Sequence, residues 1–152
     1  MPALFLLLLL TACGSPTPRV PDVDFQKTSQ IQIVQENFAC TAEFSFFSDR
    51  LKLTVLQPAS VAGLTVVLTP DACRLSLNGA VRDVPPLALP PDGVPRTLFA
   101  VLSAFSPQAC AYDPEIGRFF FTAQIEGVFC TLTFPDAAGV WRLDCHAKKT
   151  SA

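Results

Sequence analysis

Apolar and polar residues alternate along much of this chain, which is typical of β-strands with one buried face. The alternation begins at Gln30 and is clearest over residues 38–46 and, after a turn at 47–50, over residues 51–55, where Pro58 follows. We predict that these two strands form a hairpin. The expected opposed pairs are Phe46 with Leu51, Phe44 with Leu53, and Ala42 with Val55.

Five further segments show the same alternation and are predicted strands. They cover residues 64–68, 73–77, 118–126, 128–134 and 141–146. Asn78-Gly79 ends the second of them, and this pair is a strong signal for a tight hairpin turn. No segment repeats another closely enough to indicate tandem units.

One segment follows a helical period instead. Its apolar stripe comprises Val94, Leu98, Val101, Leu102 and Phe105. We expect Asp92 to cap this helix and Pro107 to end it, while Pro95 is tolerated in the first turn. Arg96 is its one charged residue, so we expect the helix to be buried on more than one side. The proline-rich stretch before it, 84–93, is predicted to cross the fold as an extended loop.

The order of elements is strands, one helix, then strands again. This order predicts a fold that is mainly β with one helix (α+β), in which a mainly antiparallel sheet packs one face on a single apolar helix.

The last two strands predict a pair of neighbouring cysteines. Residues 135–140, with Asp136 and Gly139, are typical of a hairpin turn. Pairing residue 134 with residue 141 then sets Cys130 opposite Cys145 on the buried face. Opposed residues approach disulfide distance, and a packed pair of free thiols has the same spacing. The sequence leaves both states open.

The N-terminus has the pattern of a bacterial lipoprotein signal. A leucine-rich run covers residues 4–10, and the small residues Thr11 and Ala12 precede Cys13. The run is too short to cross a hydrocarbon core of roughly 30 Å as a stable helix. Cys13 would take a diacylglycerol before cleavage. The alternative is an ordinary secretory signal in which Cys13 is incidental. No Lys or Arg precedes the run, so we expect the natural start to lie upstream.

This interpretation divides the chain into four parts. Residues 1–12 form the signal peptide, 13–28 the lipidated cysteine and a proline-rich tether, 29–147 one β-rich domain, and 148–152 a polar tail. The expected location is the extracytoplasmic face of the bacterial membrane, reached through the lipid anchor.

Composition narrows the choice of partners. Half of the 152 residues are hydrophobic, 16% are charged, and 11 basic residues face 13 acidic ones without a charge run. Such a surface has no basic patch for nucleic acid or for anionic headgroups. We expect membrane contact through the anchor alone and no nucleic-acid partner. A protein partner is not predictable.

The residues do not favour catalysis. His146 is the only histidine and lies on the polar side of the last strand. Asp113 and Glu115 occupy a Pro-Gly turn, where acidic residues are common. No phosphate loop, metal motif or CxxC pair occurs, so we predict no enzyme, no cofactor and no metal. The strand cysteines at 40, 73, 130 and 145 fall on the apolar side of their strands. They are either small buried residues with free thiols or partners in disulfides.

The sequence from about Phe38 to Leu143 resembles the LolA/LolB-like lipoprotein carriers and the LppX/LprG lipoproteins. The matching pieces are the 38–46 strand, Leu53-Thr54-Val55-Leu56-Gln57-Pro58, the Gly63-Leu64 strand, Leu77-Asn78-Gly79, the proline-rich crossing, the helix and the closing strands. The resemblance implies an incompletely closed antiparallel half-barrel wrapped over the helix. This chain is shorter than those relatives and has one clear helix where they carry several, which implies a reduced cavity or none.

The resemblance also implies a function without catalysis, namely binding or carrying a lipid or another apolar ligand. The candidate cavity residues are Phe44, Leu98, Leu102, Phe105, Phe119, Phe121, Phe134 and Trp141. The alternative is a structural or interaction lipoprotein with a filled core and no ligand, because burying each Phe contributes roughly 1.5–3 kcal/mol and so favours a solid interior.

Overall fold

The computed structural model describes residue 14 and residues 16–147, which form one sheet of ten strands around one α-helix. The strands are β1 (Ser29–Gln35), β2 (Phe38–Phe47), β3 (Arg50–Gln57), β4 (Thr65–Leu68), β5 (Cys73–Leu77), β6 (Ala80–Val84), β7 (Ala111–Asp113), β8 (Arg118–Ile125), β9 (Val128–Thr133) and β10 (Val140–Ala147). The helix, α1, is Val94–Ala104. Single 3-10 turns cover Ala59–Val61, Pro86–Ala88 and Pro107–Ala109.

The strands lie in the order β6-β5-β4-β3-β2-β1-β10-β9-β8-β7. The sheet does not close, and its edges are β6 and β7. All neighbouring strands are antiparallel except β1 and β10, which are parallel and bring the first and last strands together inside the sheet. The predicted fold class, a mainly β half-barrel with one helix, is confirmed, with this one parallel pair as an addition.

The predicted first hairpin is confirmed in detail. Phe46 faces Leu51, Phe44 faces Leu53 and Ala42 faces Val55, followed by a register shift at the far end of the pair. Ser48 and Asp49 form its turn with φ of 50° and 57°. Left-handed pairs of this kind match the twist of the strands, and Asn78-Gly79 forms the predicted second turn in the same way.

Helix α1 lies against the concave face of the sheet and contacts β3, β4 and β8. Its fully buried side chains are Thr97, Leu98, Val101 and Leu102. Several neighbouring residues are half buried, while Ser103 and Ala104 are exposed, so one side of the helix remains in solvent.

The predicted cap at Asp92 is wrong. Gly93 occupies the N-cap position without a side-chain hydrogen bond. Asp92 instead presents its backbone carbonyl to the side-chain amide of Gln35, at 3.1 Å. The loop 84–93 passes over this end of the sheet, and the Gln35 contact fastens it to β1.

Two strands, β6 and β7, lack a clear sequence pattern. Strand β6 is an edge strand, and only Val84 among its five residues is even half buried, so no alternation marks it. Strand β7 has three residues. Strand β1, by contrast, shows the alternation that begins at Gln30, with Ile31 and Ile33 buried.

The end of the predicted tether contacts the domain. Val20, Val23 and Phe25 pack against the core, and the Phe25 carbonyl accepts a 2.7 Å hydrogen bond from the Phe46 backbone N–H. Part of the predicted tether, from Val20 onwards, therefore belongs to the domain, and the remaining tether is shorter than the predicted range 13–28. Within residues 14 and 16–147, no helix has the length and apolar character needed to cross a bilayer.

Candidate ligand-binding site

The eight candidate cavity residues all lie in the single apolar core between the sheet and α1. Phe44, Leu98, Leu102, Phe121, Phe134 and Trp141 are buried, while Phe105 and Phe119 are half buried and pack against them. The sequence pattern thus identified the core residues, because alternation in the strands and the helical stripe both mark the inward-facing side.

The aromatic members of this group contact one another. The ring centroids of Phe134 and Trp141 are 5.0 Å apart, and those of Phe105 and Phe121 are 5.3 Å apart in an edge-to-face arrangement. Phe119 lies 5.9 Å from Phe134. These are packing distances for aromatic pairs. The rings therefore fill space between helix and sheet instead of standing apart around a void.

Phe25 completes this cluster, although the alternating pattern of the sequence does not mark it. Its ring lies 5.0 Å from Phe105, 5.3 Å from Trp141 and 6.1 Å from Phe44. The signal that could have found it is a lone Phe in a polar, proline-rich stretch, since a large apolar side chain gains most by burial.

A cleft lies outside the core, beside the N-terminal half of α1. We call it the helix cleft. Its walls are the end of β4 with the following turn, the proline-rich crossing, α1, and the β8–β9 turn, and its volume is about 490 Å³. The apolar residues that line it include Leu68, Leu87, Phe99, Ala100 and Ile125, together with several prolines. Leu87 is 84% exposed, so a large apolar side chain faces solvent at the rim.

Three charged side chains line the helix cleft, namely Arg96 and the carboxylates of Asp71 and Glu126, of which Glu126 forms the ion pair with Arg96. Arg96 donates to the carbonyl of Leu89 at 3.1 Å and lies 3.7 Å from the carboxylate of Glu126. The Arg96 side chain is 24% exposed, and Glu126 belongs to the two-residue β8–β9 turn with φ of 46°. A guanidinium that is partly buried beside apolar walls offers both an apolar surface and a cation.

A second depression, of about 630 Å³, lies beside the start of β5 and the end of β6, at the end of this hairpin that is opposite its turn. Its main feature is the two-pronged ion pair of Arg74 with Asp83, at 2.8 and 3.1 Å, which is exposed to solvent. The hydrogen bond from Arg74 lowers the pKa of the Asp83 carboxyl. The two side chains neutralise each other in solvent, so they help to align β5 with β6 and do not offer a site for an apolar ligand.

The predicted juxtaposition of cysteines is present. Strands β9 and β10 set Cys130 directly opposite Cys145, with Leu132 opposite Leu143 beside them. Both cysteines are buried. The neighbouring Cys130 thiol, together with burial, raises the pKa of Cys145 well above its ordinary value.

The other chemical candidates are simple surface features. His146 is exposed at the end of β10. Asp113 accepts hydrogen bonds from the backbone N–H groups of Glu115 and Gly117, as expected for a turn. Within the part of the chain that the structure describes, no three His, Cys, Asp or Glu side chains are close enough together to hold a metal ion. Cys13, the predicted lipidation site, and residues 148–152 lie outside the described residues.

The fold and the helix cleft together define an open β half-barrel with one packed helix and an apolar groove at its side. No protein-family model, no curated protein and no solved structure matches this chain.

Proposed function

We propose that this chain is a membrane-anchored envelope lipoprotein, similar to the LolA/LolB-like carriers and the LppX/LprG lipoproteins, that binds the apolar part of a lipid or of another apolar ligand without catalysis. The observation that supports this proposal is the helix cleft. Its volume of about 490 Å³ falls within the range of small-molecule sites, and its lining is mainly apolar with a small number of polar groups.

The helix cleft is a better candidate than the interior for the position of the ligand. The interior is occupied by contacting rings, and opening it would separate pairs such as Phe134 and Trp141. The helix cleft requires no such rearrangement, because Phe99, Ala100 and Leu87 already face the open space. In this proposal the predicted cavity residues form the rigid support beneath the ligand, not its walls.

Arg96 gives the helix cleft a preference among apolar ligands. Its nearest carboxylate, Glu126, lies at 3.7 Å and is more than half exposed, so this pair is weak. An anionic headgroup can therefore replace Glu126 at the guanidinium while its chain lies along Phe99 and Ile125. The expected ligand class is a single-chain amphiphile with a negatively charged head.

The anchor would hold this site close to the membrane. If Cys13 carries the lipid, the chain from residue 14 to Val20, where contact with the core begins, can reach only about 20 Å when extended. A domain held at that distance exchanges ligands with the membrane surface rather than across a wide gap.

The alternative is an interaction lipoprotein with a filled core and no ligand. The packed rings favour it, and so does the edge strand β6, whose outer side is unpaired and where Val81 is 62% exposed. An unpaired edge can accept a strand from another protein. The charged residues Arg82 and Asp83 on this short strand, however, are typical of edges protected against pairing.

Binding of a dansyl-labelled fatty acid tests the choice between the two functions. We expect the wild-type protein to increase the emission of the probe, and Ala100→Phe to weaken binding at least about tenfold because the new ring fills the helix cleft. Ala104→Phe is the matched control, since Ala104 lies on the same helix but is exposed and outside the helix cleft.

Equal loss of binding in both helix variants, with both folded, would contradict the helix cleft as the site. Absence of probe binding by the wild type, together with no co-purifying lipid in native mass spectra of protein from its own membrane, would favour the interaction protein.

A further inference from the structure

The contact between Cys130 and Cys145 joins the last two strands of the chain. These residues stand directly opposite each other in β9 and β10, and 1% and 3% of their surfaces are exposed. Opposed residues in antiparallel strands have Cβ atoms about 4.5–5.5 Å apart, and a disulfide requires about 3.5–4.5 Å. A small approach of the two strands, together with rotation of the thiols towards each other, therefore suffices to bond them.

This arrangement is specific to one pair among the described cysteines. Cys40 stands opposite Ile33, and Cys73 has Leu68 and Val84 on its two sides. Cys110 lies outside the sheet, where its thiol donates to the carbonyl of Ser106 at 3.5 Å.

One member of the pair lies beside an opening in the surface. A cleft of about 260 Å³ opens at the end of the sheet, and we call it the end cleft. Cys145 lines it, together with Gln35, Phe38, Asp92 and Val128. Cys130 is not among the residues that line the end cleft. The two cysteines thus differ in position: Cys145 lies at the wall of the end cleft, whereas Cys130 does not line it.

We propose that Cys130 and Cys145 form a reversible cross-strand disulfide, made by thiol–disulfide exchange that begins at Cys145 in the end cleft. The co-reactant is a small disulfide or the disulfide of a thiol oxidoreductase. Cys145 loses its proton to solvent and attacks one sulfur of this disulfide, and the other sulfur leaves as a thiolate. Because the pKa of Cys145 is raised, its thiolate fraction is small, so this first step is slow at neutral pH and faster in alkaline solution. Cys130 then loses its proton, attacks the sulfur of Cys145 and displaces the second sulfur of the reactant. The two protein thiols lose two electrons and two protons, and the reactant disulfide becomes two thiols.

The bond would stabilise the part of the sheet where the last strand, β10, lies between β9 and β1. Strand β10 pairs with β9 on one side and, in parallel, with β1 on the other. Fixing β10 to β9 covalently holds the last strand in register and so supports its pairing with β1. Reduction leaves the same fold, because the pair is already packed as thiols. The disulfide therefore stabilises a register that already exists without it, and folding does not require it.

Oxidised glutathione added to the reduced full-length protein tests this proposal. After an acid quench, denaturation and alkylation of free thiols, trypsin separates the pair, because cleavage after Arg118, Arg142 and Lys148 places Cys130 in residues 119–142 and Cys145 in residues 143–148. We expect these two peptides to be linked, to separate on addition of dithiothreitol, and the oxidised protein to unfold at higher urea. If both cysteines are alkylated instead, or if either is linked to Cys40, Cys73 or Cys110, the proposal is wrong.

Two variants test the order of the steps. In Cys130→Ser we expect glutathione to remain on Cys145 as a mixed disulfide, about 305 Da heavier, because no second thiol displaces it. In Cys145→Ser we expect Cys130 to stay unmodified. Circular dichroism checks that each variant is folded, and the wild-type result stands if one of them is not. Glutathione on Cys130 in folded Cys145→Ser, at the rate seen for Cys145, would overturn entry through the end cleft.

Discussion

The ring of Phe25 meets the ring of Phe105 edge to face, with centroids 5.0 Å apart and planes at 84°. This contact joins the segment before the first strand to the end of the helix, two parts of the chain that no strand pairing connects. Phe25 also touches Trp141, so it packs over the junction between the helix and the sheet.

Phe25→Ala should therefore destabilise the domain. We expect a loss of about 2–3 kcal/mol in the free energy of unfolding, because a half-buried ring and its aromatic contacts are removed. Phe47→Ala is the control, since Phe47 is 61% exposed and should change stability by less than about 0.5 kcal/mol. Urea unfolding followed by Trp141 fluorescence measures both. Equal stability of the two variants would show that the N-terminal segment does not belong to the core.

Leu102→Asp should be severely destabilising. Leu102 is 4% exposed on the inner face of α1, and a carboxylate there has no cationic partner, so we expect a cost of at least about 3 kcal/mol. Ser103→Asp places the same charge one residue further on the exposed side of the helix and should be nearly neutral. Thermal unfolding compares the two. A melting temperature for Leu102→Asp within a degree or two of wild type would contradict the packing of the helix.

Arg96→Gln should discriminate between ligands of different charge. Removing the guanidinium is expected to weaken binding of an anionic amphiphile about fivefold and to leave a neutral amphiphile of the same chain length unchanged. The fivefold effect should shrink at high salt. Fluorescence titration with the two probes measures it. Equal weakening for both would mean that Arg96 shapes the helix cleft and does not recognise charge.

Cys40 should make stability fall in alkaline solution. Burial raises the pKa of its thiol above the ordinary value of 9.0. The thiolate therefore forms more readily in the unfolded chain, and the stabilisation is complete below the unfolded pKa and is lost as pH rises towards the folded one. One such thiol contributes a slope of up to about 1.4 kcal/mol per pH unit. We expect Cys40→Ala to reduce the slope measured by urea unfolding between about pH 8 and pH 10. If the slope of stability against pH is the same in Cys40→Ala as in the wild type, the alkaline loss of stability comes from other groups.

Cys13→Ala tests the predicted anchor. Wild-type protein expressed in a bacterium with lipoprotein processing should carry a diacylglycerol mass and fractionate with membranes, whereas the variant should remain an uncleaved precursor without acyl mass. Membrane association of the variant after salt washing, together with a wild type that carries no acyl chain, would favour the ordinary secretory signal.

The sequence predicts the local parts of this fold well. The hairpin of β2 and β3 and the facing cysteines of β9 and β10 follow from alternation and turn residues, because both strands of each pair are adjacent in the chain and separated by a short turn. The buried face of α1 follows in the same way from its helical stripe.

The features that the sequence does not predict depend on distant residues. The pairing of β1 with β10 leaves no local signature, since either strand would look the same beside another partner. Strand β6 lacks a buried face, so its strand conformation comes from pairing with β5. The helix cleft is formed by four separate elements, and whether side chains fill or leave such a space depends on their exact placement.

The pairing of β1 with β10 also determines when this chain can finish folding. Arg142 in β10 reaches the side chain of Gln32 in β1, 110 residues earlier. A chain still being synthesised can form β1 to β6, but β1 then presents an open edge with Ile31 and Ile33 in its inward-facing positions. Contacts so distant in sequence form slowly, and such edges invite pairing with other chains. The emerging protein therefore depends on protection from association until its last strand arrives.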